Sequence, residues 1–576
     1  MTDINRLITD NIELWTSAIE QKTSSGRGGN SKRNLIGIKK LRDLILELAV
    51  NGQLVTNSSK KEDTDNSIES LKSIKADLVK NKKIKKPKKL PEIEKEELNP
   101  NLPESWGQMR LGDAINVLNG RAYKRHEMLQ EGTPLLRVGN LFTSNEWYYS
   151  DLKLEADKYI DNGDLIYAWS ASFGPFIWEG GKVIYHYHIW KMDIFDHKAL
   201  DKRFMLHYLA AISEAIKASG NGIAMIHMTK ERMEKLVIPV PSLEEQLKIV
   251  EKIDELMALC DQLEQQTEAS IDAHQLLVEE LLSTLTHSEN AQEFEQSWTR
   301  IAEHFDLLFT TEHSIEQLKQ AILQLAVMGK LVPQDPNDEH VDILLERISA
   351  HRDERVKAKE IQKPKKLSVE NTPSFQIPKS WENVLLNDLV FVTKLAGFEY
   401  TKYINLEDSG EIPVIRAQNV RPFLPDLTNL KYIDEETSLG LPRSALDKKC
   451  LLVTFIGAGI GDVCVLENDV RRHLAPNVAK VEAFSNFDLD YLCLYLNSPN
   501  GRSELFKSIK STAQPSLSMT TIREIWVSIP PIEEQKRIVL KTRSLLELCE
   551  KLKFSISSAS MTKVNLAKEI VEKALG

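Results

Sequence analysis

The chain is 576 residues long, 42% apolar and 27% charged, with a formal net charge of −10. That length predicts several globular domains, and no apolar run reaches the length of a membrane span. The acidic total argues against a surface that coats nucleic acid throughout, yet leaves room for a DNA reader with local basic loops.

In chain order, MTDINRLITD lacks a basic stretch leading into an apolar core, so no secretory signal is expected. Residues 1–34 predict a weak amphipathic helix and then a flexible loop, SSGRGGNSKRN. Residues 35–50, LIGIKKLRDLILELAV, predict a helix stopped by Asn51-Gly52. Polar, Lys-rich sequence follows to about residue 100, and Lys80–Lys89 reads as a solvated linker or a phosphate contact. Pro103-Glu104-Ser105-Trp106 opens a mixed segment with strand-like runs at 133–138 and 164–169 and a helix near 204–217. It ends at Val237-Ile-Pro-Val-Pro241.

From Leu243 to about Thr284 the spacing alternates four and three. The seam is Ile249, Ile253, Leu256, Cys260, Leu263, Thr267, Ser270, His274, Leu277 and Leu281. Such a coiled-coil helix would run roughly 60 Å. The same pattern closes the chain, with a seam from Ile538 through Thr542, Leu545, Cys549, Leu552, Ile556, Ala559, Lys563 and Leu566 to Ile570. Two such helices in one chain can cover each other's seams. The five cysteines are scattered, without a Cys-x-x-Cys pair, and read as reduced core residues of a cytoplasmic protein.

The order of features repeats. Leu318–Val332 repeats Leu41–Val55, Lys363–Leu367 repeats Lys86–Leu90, and Ile377–Trp381 repeats Leu102–Trp106. Val414–Val420 answers Leu135–Leu141, and Ile532-Glu-Glu-Gln535 answers Leu243-Glu-Glu-Gln246. The period, roughly 280 residues, is too long for a solenoid. The fold class expected is α+β: a tandem duplication in which two globular α/β modules are separated by long helices pairing as an antiparallel coiled coil. The division runs 1–102 (helical region and basic linker), 103–241 (first module), 242–286 (central long helix), 287–377 (second helical region and linker), 378–531 (second module) and 532–576 (closing long helix).

The run Leu318-Lys-Gln-Ala-Ile-Leu-x-x-Ala-x-x-Gly-Lys-Leu-Val-Pro333 resembles specificity subunits of type I restriction–modification systems. So do Pro-x-Pro-Leu/Ile-Glu-Glu-Gln entering a long helix and the duplicated plan. The long amino-terminal region suggests a longer branch of that family. The resemblance implies two target recognition domains, near 103–241 and 378–531, each reading half of a bipartite duplex DNA site. It implies that the helices pair antiparallel, set the gap between halves and dock two methyltransferase subunits. Those partners would bind S-adenosylmethionine, and restriction and translocase subunits would complete the enzyme.

The chain's own motifs are consistent with a non-catalytic role. A DNA adenine methyltransferase needs a Gly-rich cofactor loop and an Asn/Asp-Pro-Pro-aromatic motif for the flipped base, and neither occurs. Gly457-Ala-Gly-Ile-Gly461 follows a strand-like run but leads into another, predicting a tight hairpin rather than a nucleotide loop. No Gly-x-x-x-x-Gly-Lys-Ser/Thr motor loop is present, and Asp151-Leu-Lys153 is the kind of short nuclease-like match expected by chance. His186 and His188 lack a third ligand nearby in sequence. No catalytic, cofactor or metal site is therefore expected. The alternatives are a self-contained methyltransferase–endonuclease, which the missing motifs oppose, and a coiled-coil scaffold, which leaves two complete modules unexplained.

Reading DNA needs polar side chains at base edges and phosphate contacts that position them. In the first module the candidates are Asn119, Arg121, Tyr123, Lys124, Arg125, Arg137, Asn140, Ser170, Ser172 and Asn221. In the second they are Lys394, Tyr400, Lys402, Arg416, Gln418, Asn419, Thr512, Gln514 and Ser516. Arg137 and Arg416 occupy equivalent framework positions, which favours a structural or phosphate role for both.

Overall fold

The computed structural model describes residues 4–20, 33–170, 172–219, 229–289, 291–364, 367, 375–457, 459–467, 470–507 and 516–575. It divides into two compact units, Met1–Ser270 with Ser558–Gly576, and Ile271–Ser557. Each unit holds one module and the helices that frame it.

Module 1 contains ten strands: β1 (Gly107–Arg110), β2 (Ile115–Asn119), β3 (Thr133–Leu136), β4 (Tyr148–Ser150), β5 (Tyr159–Ile160), β6 (Leu165–Ser170), β7 (Ser172–Ile177), β8 (Val183–Tyr185), β9 (Ile189–Ile194) and β10 (Val237–Val240). Module 2 repeats them as β11 (Glu382–Leu385), β12 (Val390–Lys394), β13 (Ile412–Ile415), β14 (Lys431–Ile433), β15 (Ala445–Leu446), β16 (Cys450–Thr454), β17 (Val463–Leu466), β18 (Arg472–Leu474), β19 (Val478–Ala483) and β20 (Trp526–Ile529). The sheet orders are identical. β2-β9-β6-β7 matches β12-β19-β16-β17, and β4-β3-β8-β5 matches β14-β13-β18-β15. Both copies include one parallel pair, β3 with β8 and β13 with β18. So the modules, which match in sequence only at their framework, share every strand and pairing.

The two larger sheets of a module enclose a small apolar core. In module 1 it includes Leu136, Ile160, Ile166, Val183, Tyr185 and Ile189, and in module 2 Ile415, Leu446, Cys450, Leu452, Cys464 and Leu474. A helix is tied to the closing strand of each copy, Lys202–Ser219 through the Tyr208 hydroxyl to the Val237 carbonyl and Leu489–Asn497 through the Tyr491 hydroxyl to the Ser528 carbonyl. In each an aspartate accepts hydrogen bonds from the first helical N–H groups, Asp201 from Arg203 and Phe204, Asp488 from Asp490 and Tyr491. Such a cap stabilises a helix by about 1 kcal/mol.

The first and last strands of each module pair antiparallel, Gly107 opposite Val240 and Glu382 opposite Ile529. The chain therefore enters and leaves a module at one place, where three repeated motifs meet. The framing helix Ile36–Val50 stops at Gly52, whose φ of +70° suits a residue without a Cβ. A Cβ there would lie 2.7 Å from Pro103 and 3.0 Å from Trp106. Trp106 Nε1 donates to Glu245 at 3.1 Å, and the N–H groups of Ser58 and Ser59 donate to the same buried carboxylate. The next residue, Gln246, donates to the carbonyls of Ala199 and Pro241 and accepts from the Asp201 N–H. The second copy repeats the joint. Gly329 sits at φ +71° against Pro378 and Trp381, and Gln334 donates to Glu534. Gln535 donates to the Pro530 carbonyl and accepts from the Asp488 N–H.

Beyond these joints run the long helices, Leu243–His287 and Ile532–Leu575. The four-three seam is buried from Ile249 to Leu263, and its second copy is buried at Ile538, Thr542 and Cys549. Further on, two expected positions fail, Leu277 and Leu566 being 51% and 46% exposed, whereas Leu281, Leu552 and Ile556 still pack against a core. Val278, Leu282 and Leu285 are buried instead, and so are Ala567 and Val571 in the second helix. The reason is geometric. Ile249 and Leu285 are 36 positions apart, ten turns at 3.6 residues each, whereas a 3.5 repeat drifts by about 20° per heptad. The buried stripe follows the straight-helix period.

The seams are also covered by more than each other. Arg42 of the first framing helix pairs with Asp261 and Glu264 of the first long helix. In the second unit the framing helix Glu312–Val327 pairs through Lys319 with Glu550. Its Ile315, Leu318 and Ile322 share one core with Val278, Leu282, Leu285 and Cys549. Two further helices, Lys61–Lys80 and Val341–Lys357, lie where the sequence predicts polar linker. The first buries only Thr64 and Leu71 and is held by polar contacts, Ser70 to Asp196 and Lys75 to Asp113 and the Gly112 carbonyl.

Val278→Asp should destabilise the second unit by more than about 3 kcal/mol, because it places an unpaired charge in a core. Leu277→Asp should change stability by no more than about 0.5 kcal/mol. Urea unfolding of the two variants checks which position faces the core, and the reverse order would restore the heptad seam.

Candidate nucleic-acid interface

The segment after β2 is a tight turn built around one carboxylate. Glu127 accepts from the Lys124 N–H at 2.8 Å and from both ends of the Arg121 guanidinium at 2.6 and 3.1 Å. Arg121, with the Lys124 N–H second, holds the Glu127 carboxyl down at about 2. Arg121 also lies over the Tyr123 ring, 5.1 Å from its centroid. Tyr123 is buried, and that burial pushes its hydroxyl up to about 12. Arg121 and Tyr123 therefore shape the turn, while Lys124 and Arg125 are exposed on it. Asn119 is exposed at the end of β2, and its carbonyl accepts from Lys158.

The second module builds the same turn differently. Glu399 accepts from the Ala396 N–H and pairs with Arg443, which lies 44 positions away. Lys394 and Lys402 are exposed, with ammonium groups near the rings of Phe455 and Tyr403, and Tyr400 is half-buried. Glu127 and Glu399 went unmarked by sequence reasoning, although a carboxylate three residues after the turn opens is a capping signal. Arg443 left no such signal.

The Arg-x-x-Asn pairs are turns as well. The Arg137 N–H donates to the Asn140 side chain, which donates to the Glu146 carbonyl. The Arg416 N–H donates to Asn419, which donates to the Asp426 and Asn429 carbonyls. Asn419 is buried, and the Arg416 guanidinium donates to the Asn429 carbonyl. Gln418, between them, is exposed.

At the tips the modules diverge. Ser170 and Ser172 face each other at the end of the β6–β7 hairpin. Trp169 packs edge-on to His188 and donates through Nε1 to the Tyr187 carbonyl. Burial, then His188 and Arg137, push the His186 imidazole down to about 4. In module 2 the glycine-rich run closes a hairpin, where the Gly461 N–H donates to Thr454 and the Thr454 N–H to Asp462. Gly457 and Gly461 take φ of +111° and +81° there. Ser516 bridges Ile456 beside it. Asn221, Thr512 and Gln514 lie outside the described residues, as does the side chain of Ser172. Among the described residues no group of three or more His, Cys, Asp or Glu could hold a metal ion. No helix among them is long and apolar enough to cross a membrane.

Two copies of one strand framework with different tips define a tandem-module protein. A family model described as the type I restriction modification DNA specificity domain matches residues 103–273 and 378–553. The chain is 32% identical to the type I restriction enzyme EcoAI specificity subunit of Escherichia coli, covering 99% of this chain and all of that one. It is 31% identical to the EcoEI specificity subunit of Escherichia coli over the same shares. A solved HsdS subunit from Thermoanaerobacter tengcongensis is 16% identical, with 82% of this chain and 97% of that one covered and a TM-score of 0.39. The chain belongs to the type I restriction–modification specificity family, as a specificity subunit and not a catalytic one.

Arg121→Ala should return the Glu127 carboxyl from about 2 toward the ordinary range. Carbon-detected NMR titration of the labelled carboxyl checks this, and an unmoved value would leave the turn to the Lys124 N–H alone.

Proposed function

We propose that each module reads one half of an asymmetric, bipartite site on duplex DNA, and that the long helices set the gap between halves. Two methyltransferase subunits, each bringing S-adenosylmethionine for adenine methylation, dock on those helices. Restriction and translocase subunits complete the assembly in the cytoplasm. The observation that carries this reading is the constancy of the frame against the change of the tips. Strand order, pairing and joint are the same in both copies. The turn carboxylate recruits Arg121 in one and Arg443 in the other.

Within each module the roles divide by exposure. Arg121, Tyr123, Asn140, Arg416 and Asn419 hold the turns. Asn119, Lys124, Arg125, Lys394, Lys402 and Gln418 stand exposed to reach phosphates and base edges. Ser170, Tyr400 and Ser516 flank them.

Replacing 103–241 with the corresponding module of a relative should change one half of the recognised sequence and leave the other intact. Methylome sequencing of cells carrying the chimera with its methyltransferase subunit checks it, and a change in both halves would end the claim of independent reading. Thr267 and Ile556 occupy equivalent places in the two long helices. Inserting seven residues after each lengthens both by about 10 Å, roughly three base-pair rises. The same sequencing should then report the same half-sites with a longer gap, and an unchanged gap in an active complex would transfer the spacing role elsewhere.

A further inference from the structure

Two clefts with charged walls occur among the described residues, and they differ in one respect. The larger, about 740 Å³ in the second unit, is neutralised by its own side chains: Arg355 pairs with Glu482, and Lys449 with Asp490. The other, about 600 Å³ in module 1, is lined by Arg125, Arg137, Tyr148, His186 and His188 with neighbouring apolar residues and no carboxylate. We propose that this module 1 cleft holds one phosphodiester of the DNA backbone, gripped by Arg137 and Arg125 with the histidine pair as further donors. The proposal rests on the DNA-reading function above and adds to it a defined anion site whose lining is not repeated among the described residues of module 2.

The charge balance supports an anion. Elsewhere in the first unit, Arg110, Arg121 and Arg203 pair with Glu97, Glu127 and Asp254. Among the described residues no carboxylate pairs with Arg125 or Arg137. The Arg137 guanidinium stacks over Tyr148, 5.0 Å from the ring centroid, which fixes its plane while its edge keeps its N–H donors. The rings of His186 and His188 are 4.8 Å apart. His186, half-buried beside His188 and Arg137, is neutral at physiological pH and retains one N–H donor. A negative group entering the cleft offsets the charges of Arg125 and Arg137.

Module 2 supplies the internal contrast. The His186 N–H donates to Leu136 as the Ala475 N–H donates to Ile415, and the Trp169 N–H donates to His188 as the Phe455 N–H donates to Asn477. Ala475, Pro476 and Asn477 therefore stand where module 1 has His186, Tyr187 and His188. Arg416, the counterpart of Arg137, donates to its own Asn429 carbonyl.

The test uses the full chain with its methyltransferase subunits and a duplex carrying the site read from the methylome. Phosphates across the module 1 half-site are replaced singly by uncharged methylphosphonates. One replacement should weaken binding by wild type about tenfold, the loss of one charged contact, and binding by Arg137→Gln by less than about twofold. Arg137→Gln should lower the salt slope by about one on target and non-target duplexes alike. His186→Ala with His188→Asn, which gives module 1 the residues module 2 already folds with, should blunt the effect of the same replacement. Arg416→Gln should couple to none. Independent, additive losses at every linkage would overturn the proposal, as would relaxed sequence preference at one base pair in Arg137→Gln. Inorganic phosphate at constant ionic strength should compete no better with wild type than with Arg137→Gln, and selective competition would assign the cleft to a free anion instead. Failure of the wild-type complex to retain the duplex at all would instead refute DNA reading itself.

Discussion

The fold depends on a buried polar joint where each long helix begins. A carboxylate and an amide, adjacent in sequence, take opposite tasks. Glu245 gathers donors from the segments that precede and open the module, the Ser58 and Ser59 amides and Trp106. Gln246 gathers groups from the module's far end, the Pro241 carbonyl and the backbone around Asp201. Neither side chain is exposed to water, and an orphaned donor or acceptor there costs roughly 1–3 kcal/mol. Apolar packing tolerates sliding, whereas this set of directed bonds fits one arrangement of framing helix, module and long helix. That requirement explains why Glu-Glu-Gln, the helix-ending glycine and the Pro-x-x-Trp motif recur together.

Because the joint closes on itself, the rest of a module is free to differ. Ten strands return the chain to its starting point, and the turns between them answer to partners within their own module. Glu127 finds its arginine six positions away, and Glu399 finds one 44 positions away. The same capping geometry thus survives a complete change of the sequence around it.

The duplication, the framing helices and the glycine-rich hairpin were legible because each leaves a local or periodic mark. Three things were not. Lys61–Lys80 buries too little apolar surface to show a helical period, and its attachment is polar. The long seams looked heptad-like because 3.5 and 3.6 are indistinguishable over the first few turns, and only burial further along separates Leu277 from Val278. Among the candidate contact residues, composition could not tell a turn-holding side chain from a free one. Arg121 and Lys124 are both cations in one loop, yet the Glu127 carboxylate pairs with the guanidinium of only the first.

The long helices also have a lightly packed waist. From Gln265 to Leu277 no residue is buried, and from Glu550 to Leu566 the same holds in the second helix. Each rod is packed more tightly at its ends than between them, where single contacts such as Lys553 to Glu316 and Ser560 to the Ile19 carbonyl hold it, and the boundary between the two compact units falls within this stretch, at Ser270 and Ser557. A helix resists stretching, since its length is set by its backbone hydrogen bonds. Mechanically each waist is a strut, whose length follows from its own number of residues. That length is independent of the sequence carried by the modules.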